Sequence, residues 1–416
     1  MDKIPVHVMG LAHVPVRRDS TRCAYTMKVF NLCKMLRALG GYHVTLYGLA
    51  GSDASVADEF VEVVSQDTWR RVYGNHDMAQ YQFDWSQEDA CWQELQRRSA
   101  FEIPRHMCSC DADKPELVLC SFGYAHQPAT ERLPSNAAVI ESGIGYSGSF
   151  ADFRVFESFA IYHTTLGRMH NDTVPMGKSY WTVIPNYFDP DEFDFAPKKD
   201  DYLLYLGRLN HDKGFEIGLA AAKRAGMKMI CVGQLPNPPD GDEAKRVVET
   251  IRAHGALYVP AVGPDERRGL LARARAVFVP SQYVEPFGGV HIEANASGTP
   301  VITSDWGVFP ETVLQGVTGF RCKTLGEYVW AARHVAEIDP QDCRDWAMAN
   351  FSLDAVAPRY DAYLSKIRSL CSGRGWDMWP TDENDPGEIM AAQRVYPSGV
   401  TRGRGQSTPA ARALAG

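Results

Sequence analysis

Two carboxylates, two adjacent glycines and a strand-to-helix turn come together in the segment Ser281-Gln-Tyr-Val-Glu-Pro-Phe-Gly-Gly-Val-His-Ile-Glu-Ala-Asn-Ala-Ser-Gly-Thr-Pro-Val-Ile302. Ala276-Val-Phe-Val279 reads as a short apolar strand, Pro280 to Pro286 as a loop, and Val290 to Ala296 as a helix ended by Gly298. Gly288 and Gly289 then stand at a helix start. Without β-carbons they let a phosphate approach free backbone N–H groups and the positive end of the helix dipole. Glu285 precedes this helix and Glu293 lies about one turn inside it. At about 1.5 Å of rise per residue, the two carboxylates reach opposite ends of one elongated ligand whose phosphates lie between them.

The two glutamates stand eight positions apart around Pro286-Phe-Gly288. This pattern resembles the signature of retaining glycosyltransferases of the GT-B fold, the glycosyltransferase 4-like group also described as glycosyl transferases group 1. Other segments follow in the order of that family. Leu204-Tyr-Leu-Gly-Arg-Leu-Asn-His-Asp-Lys-Gly-Phe215 is similar to the strand and loop that open its C-terminal domain, and Gly298-Thr-Pro-Val-Ile302 and Gly316-Val-Thr-Gly-Phe320 to later segments. Val183-Ile-Pro-Asn186 with Phe188-Asp189 is similar to its interdomain segment. The likeness covers residues 183–370 and is weak before them.

The resemblance implies a nucleotide-sugar donor, with the sugar hydroxyls on Glu285, the ribose diol on Glu293 and the diphosphate on Arg208 and Lys213. Gly207, Phe287, Gly288, Gly289 and Val262 are the other implied donor-binding positions. The implied enzyme is a hexosyltransferase that retains anomeric configuration, takes a UDP- or GDP-sugar, and needs no metal or other cofactor. Its front-face chemistry removes the acceptor proton through the leaving diphosphate, so no enzymatic general base need be found. The residues agree, since two cations beside a helix start suit a dianionic leaving group and charge-assisted contacts exceed neutral ones. The alternative for Arg208 and Lys213 is a pair of solvated turn charges.

Composition bounds the rest. A chain of 416 residues exceeds one compact core and suggests two or three units. With 45% hydrophobic and 23% charged residues it is a globular composition, and a net charge of −8 excludes a broadly basic nucleic-acid binder. No apolar run approaches the ~20 residues that span a bilayer, and Met1-Asp-Lys-Ile-Pro-Val-His7 lacks a signal peptide's apolar core, so a cytoplasmic protein is expected. The ten cysteines, several inside apolar runs as in Leu119-Cys120 and Ile230-Cys231, form no disulfide framework. Cys108 and Cys110 lack the second pair that a structural zinc site requires.

These observations predict two Rossmann-like domains facing a cleft. An N-terminal acceptor domain spans 1–190, a donor domain 191–352, a helix at 353–371 crosses back to the first domain, and 372–416 forms a disordered tail rich in Gly, Pro and charge. In the first half, strands are predicted at Val6–Met9, His43–Tyr47, Leu117–Cys120 and Ala137–Ile140. Helices are predicted at Met27–Leu39, closed by Gly40-Gly41, and at Asp84–Gln96. In the second half, short strands are predicted at Tyr202–Leu206, Met229–Val232, Tyr258–Val259, Ala276–Val279 and Val301–Ile302. Residues 54–112 show no clean period, and acceptor specificity could reside there.

Beyond the strand at Leu117–Cys120, His126 stands where the resemblance implies a donor-sugar contact, with His13 as the second choice; an exposed loop histidine is the plain alternative. The loop at His13 lacks the family's usual Gly-Gly. Arg17, Arg18 and Arg22 could take over phosphate or acceptor binding, or form a solvated basic loop. Gly143, Gly145 and Gly148 spell Gly-x-Gly-x-x-Gly after a strand. A further loop before Phe153 weighs against a dinucleotide site and favours an acceptor loop that includes Tyr146. Three rival functions stay open: a phage-type glycosyltransferase of hydroxymethylated DNA, a GT-B sugar-nucleotide epimerase, and a catalytically silent sugar-nucleotide-binding protein. The acceptor, whether small molecule, glycan, lipid or modified DNA, is unspecified, as is the oligomeric state.

Overall fold

The computed structural model describes residues 3–76, 78, 80–83, 85–108, 114–169, 177, 178 and 180–374. The predicted tail from 375 onward and Cys110 lie outside the described residues. The chain divides into two compact units. Unit 1 comprises Met1–His76, Phe83–Tyr187 and the stretch from Leu353, whereas unit 2 comprises Asp77–Gln82 and Phe188–Ser352.

Unit 1 is built on seven parallel strands: β1 (Ile4–Met9), β2 (Tyr42–Leu49), β3 (Glu59–Val64), β4 (Glu116–Cys120), β5 (Ala137–Ile144), β6 (Phe153–Phe156) and β7 (Trp181–Val183), ordered β3-β2-β1-β4-β5-β6-β7. The central strand β4 is buried from end to end, as a parallel sheet covered on both faces requires. The helices of this half are α1 (Ala24–Ala38), α2 (Gln66–Tyr73), α3 (Ala90–His106), α4 (Gln127–Thr130) and α5 (Phe159–Met169). α3 begins later than its aromatic pattern predicts. Asp89 caps it, its carboxylate accepting from the N–H groups of Cys91 (2.8 Å) and Trp92 (3.3 Å), so the preceding residues stay outside the helix. The Gly-x-Gly-x-x-Gly stretch leads into strand β6, not a helix, which removes the geometry of a dinucleotide fingerprint.

Unit 2 has six parallel strands: β8 (Leu203–Leu206), β9 (Met229–Val232), β10 (Leu257–Val259), β11 (Ala276–Val279), β12 (Val301–Ser304) and β13 (Gly319–Cys322), ordered β10-β9-β8-β11-β12-β13. Between and after them run α6 (Phe215–Ala225), α7 (Asp242–Ala253), α8 (Pro264–Arg273), α9 (Val290–Ala296), α10 (Phe309–Thr312), α11 (Leu325–His334) and α12 (Pro340–Phe351). Alternation along β8 feeds two cores. Leu203 and Tyr205 face a cluster with Phe215, Phe278 and Tyr328, and Leu204 and Leu206 face one with Phe287, Phe309 and Phe351. The order reverses at β8 and β11, which places the β8 and β11 loops side by side at the carboxyl edge of the sheet.

The last helix, α13 (Leu353–Ser369), belongs to unit 1. Tyr42 donates to Asp361 at 2.5 Å, Arg359 to the Val183 carbonyl at 2.8 Å, and Tyr363 to the Tyr180 carbonyl at 2.8 Å. No helix among the described residues is long and apolar enough to cross a membrane.

Candidate functional site

The strongest cluster lies on unit 2, where the loop after β8 meets the loop after β11. Lys213 ends a single helical turn, His211–Lys213, and Gly214 follows with φ +71°. A β-carbon on Gly214 would lie 2.1 Å from the Pro280 carbonyl oxygen, so only glycine lets the two loops touch here. Gln282 N–H then donates to the Asp212 carbonyl at 2.8 Å and locks them together.

This contact brings Lys213 onto Glu285. The ammonium lies 2.9 Å from Oε2 and 3.2 Å from Oε1 of the buried carboxylate. Ser281 donates to Oε2 at 2.7 Å, Tyr283 donates to Oε1 at 2.8 Å, and Lys213 also donates to the Tyr283 hydroxyl. Burial pushes the Glu285 carboxyl up, but the Lys213 charge and the donors from Lys213, Ser281 and Tyr283 outweigh it and hold it below the usual range. The same burial, with the Glu285 charge, pushes the Tyr283 hydroxyl up, so it remains a donor. From behind, Val308 N–H donates to the Glu285 carbonyl (3.1 Å) and Trp306 to the Tyr283 carbonyl (3.1 Å), fixing the turn from the β12 side. Gly288 adopts φ +70°, and a β-carbon there would press to 2.8 Å on Glu285 Cγ.

Arg208, in the same β8 loop as Lys213, is exposed and its guanidinium makes no hydrogen bond or ion pair among the described residues. Its own carbonyl accepts from Tyr205 at 2.7 Å. Gly207 sits one residue earlier, at the exit of β8. Glu293, in the first turn of α9, is ion-paired with Arg267 of α8. Arg267 escapes a reading by motif; the only signal for it is that a half-buried carboxylate needs a counter-ion. Ser281 and Tyr283 stand in the motif itself, but only the fold shows that they serve Glu285.

Packing places three further expected donor-binding residues. Phe287 is fully buried against Phe188 and Phe351, so its ring belongs to the core and only its backbone faces the loop. Val262 packs against the same core, half-buried. Gly289 caps α9, where a β-carbon would come within 3.3 Å of the Phe188 ring.

In unit 1 the histidines sit deeper than loop positions suggest. His126 is completely buried: Nδ1 accepts from Ser121 N–H (3.2 Å) and Nε2 donates to the Gly10 carbonyl (3.1 Å), tying the exits of β1 and β4. Burial holds it neutral, with its pKa lowered to about 4. Both ring nitrogens are therefore committed to the fold, which corrects its assignment as a sugar contact. His13 is buried against Phe83, with ring centroids 3.7 Å apart, and lies 3.5 Å from Cys23 Sγ; burial lowers its pKa to about 3. Arg17 pairs with Asp19 at 2.9 Å, while Arg18 and Arg22 are exposed. Tyr146 donates to Glu141 at 3.1 Å; burial raises that carboxyl to about 7, while the Phe150 and Ala151 N–H groups oppose the rise. Lys28, unmarked by any motif, forms a buried pair with Glu157 and donates to the Gly143 carbonyl at 2.7 Å. Among the described residues no three His, Cys, Asp or Glu side chains gather as metal ligands.

Residues 189–338 match the family model described as glycosyl transferases group 1. Over 154 residues the chain is 35% identical to glycogen synthase of Mycobacterium tuberculosis (strain H37Rv), covering 34% of this chain and 36% of that one. It thus spans about a third of the length of that relative. Among solved structures it is similar to AviGT4, a glycosyltransferase involved in avilamycin A biosynthesis, with TM-score 0.61, 21% identity, and coverage of 89% of this chain and 98% of that one. It is likewise similar to Anabaena HepE solved with UDP and glucose, with TM-score 0.62, 15% identity and 87% and 99% coverage.

Proposed function

We propose that this protein moves a sugar from a nucleoside diphosphate to an acceptor hydroxyl, with retention of configuration; the match of residues 189–338 to the glycosyl transferases group 1 model and the Rossmann-like build of both units support the reading. The observation that carries the reading is the Lys213–Glu285 pair beside the unpaired Arg208. A carboxylate offers about four acceptor sites, and Lys213, Ser281 and Tyr283 occupy those of Glu285. When Lys213 turns to a diphosphate, the sites it vacates on Glu285 become open to sugar hydroxyls. Binding of the phosphates and gripping of the sugar are coupled through one ammonium group.

In the reaction the bond between the anomeric carbon and the diphosphate oxygen breaks, and its electron pair stays on the diphosphate. The acceptor oxygen bonds to the same face of the sugar and its proton passes to the departing oxygen. Arg208 and Lys213 stabilise the charge that accumulates there, the largest class of contribution in such steps. Glu293, held by Arg267, faces the ribose diol. The UDP and glucose bound to HepE support a UDP-sugar as first donor to try, with a GDP-sugar second.

The test is a panel of UDP-, GDP-, ADP- and dTDP-sugars, with products followed by mass spectrometry after addition of lipid, glycan and hydroxymethylated-DNA acceptors. Donor-dependent sugar transfer is expected with at least one pair. Binding without turnover, or release of an epimerised sugar alone, would refute transfer.

A further inference from the structure

Unit 2 includes a short stretch from far earlier in the chain, Asp77–Gln82, in the region whose sequence has no clean period. Within that stretch Gln82 is buried and heavily bonded. Its side-chain amide pairs reciprocally with that of Asn210: Gln82 Nε2 donates to Asn210 Oδ1 at 3.1 Å, and Asn210 Nδ2 donates to Gln82 Oε1 at 3.1 Å. Gln82 Nε2 also donates to the carbonyls of Leu235 (2.8 Å) and Gln234 (3.3 Å). The backbone is clasped as well. Gln82 N–H donates to Asn237 Oδ1 (3.2 Å), Asn237 Nδ2 to the Gln82 carbonyl (2.6 Å), and Gln234 Nε2 to the Tyr81 carbonyl (3.0 Å).

These bonds converge on the loop that matters for the diphosphate. Asn210 lies between Arg208 and Lys213, and its carbonyl accepts from Lys213 N–H at 3.1 Å, setting the turn that aims the ammonium. On the other side, Leu209 N–H donates to the Gln234 carbonyl at 2.9 Å. Gln82 therefore bridges the β8 loop to the β9 loop at the residue that caps the Lys213 turn. A surface loop has no need of a buried amide brought in from over a hundred residues away; a loop whose two cations must keep one geometry does. Each amide left unmatched would also be a buried polar group without its partner, so the pair stays closed.

We infer that Gln82 is a positioning residue of the donor site, fixing the loop that carries Arg208 and Lys213 so that both cations meet one diphosphate. The inference rests on the diphosphate reading of those two residues. Gln82 touches no substrate; its effect passes through Asn210.

The experiment compares wild type, Gln82→Ala and Gln82→Glu in binding the preferred nucleoside diphosphate among UDP, GDP, ADP and dTDP, and the matching monophosphate, by calorimetry. Gln82→Glu keeps the side-chain length but turns an oxygen toward the Leu235 and Gln234 carbonyls, so the clasp fails without a cavity. The ratio of diphosphate to monophosphate affinity is expected to fall about tenfold or more in both variants, with monophosphate affinity near wild type; the melting temperature should drop in both, because Gln82→Ala leaves the Asn210 amide without its partner and Gln82→Glu sets a carboxylate against two carbonyls. An unchanged ratio overturns the inference, and so does a parallel loss of both affinities, which marks a purely structural role. Arg208→Ala is measured alongside. If it leaves the ratio untouched, the diphosphate reading falls and this inference with it; if it lowers the ratio while the Gln82 variants do not, this inference alone falls.

Discussion

Removing Lys213 should strand a charge. In Lys213→Met the Glu285 carboxylate stays buried with only the Ser281 and Tyr283 hydroxyls to hold it. Breaking a fully buried pair costs about 3–5 kcal/mol. The Lys213 side chain is 21% exposed, so solvent already screens part of the interaction and a loss of about 2–3 kcal/mol is expected at pH 7. Glu285→Gln should cost less, about 1–2 kcal/mol, because the freed ammonium can turn to water. The double variant should then cost less than the sum of the singles by a coupling of about 2 kcal/mol, measured by urea unfolding of all four proteins. The pH dependence has a definite sign. Glu285 is depressed in the fold, so its contribution is complete above the ordinary carboxylate range and is lost as pH falls through the folded value. Without Lys213, burial prevails and the carboxyl rises, so the variant takes up a proton sooner and its deficit should narrow between pH 7 and pH 4. A coupling within about 0.5 kcal/mol of zero, or a deficit independent of pH, would refute the reasoning.

Glu293→Gln should weaken nucleoside diphosphate binding by about 1.5–3 kcal/mol and erase the preference over the 2′-deoxy compound, both read by calorimetry; an intact preference would remove the ribose assignment. Glu285→Gln should lower turnover more than nucleoside diphosphate affinity, and equal losses in steady-state rate and calorimetric affinity would contradict the division between sugar and phosphate contacts. Acid should destabilise both units, because His13 (about 3) and His126 (about 4) in unit 1 and His291 (about 4) in unit 2 stay neutral in the fold while their unfolded forms protonate near 6.5. Each buried histidine then removes up to about 1.4 kcal/mol per pH unit between those limits. A melting temperature flat from pH 6.5 to 4.5, or as steep in His126→Asn as in wild type, would count against it.

The second half of the fold was legible because its signals are local. Met229–Val232 and Ala276–Val279 are strands with the predicted ends, and Val290–Ala296 is the predicted helix. Apolar runs bounded by Gly and Pro suffice for a sheet buried on both faces. The strands β3, β6, β7 and β13 were not legible: β6 and β13 each carry an arginine, Arg154 and Arg321, that breaks the apolar run, β7 has three residues, and β3 mixes acidic with apolar residues at an edge. At the site, the carboxylates and cations stand in the sequence, but their partners do not. Arg267, Tyr283 and Asn210 acquire meaning only when loops from different strands meet. His126 misled for a related reason, since a histidine just past a strand end has the same sequence context whether it faces a ligand or, as here, ties two loops from within.

The central claim is that Arg208 and Lys213 stabilise a departing diphosphate, and Arg208→Ala tests it most directly. The side chain is exposed and holds no hydrogen bond among the described residues, so its loss cannot act by loosening the fold. Losing one preorganised donor to developing charge costs about 2.7–4 kcal/mol. Turnover at saturating donor should therefore fall at least about a hundredfold, with an unchanged melting temperature. Turnover near the wild-type rate would show that Arg208 is a solvated turn charge and that the diphosphate does not depart there.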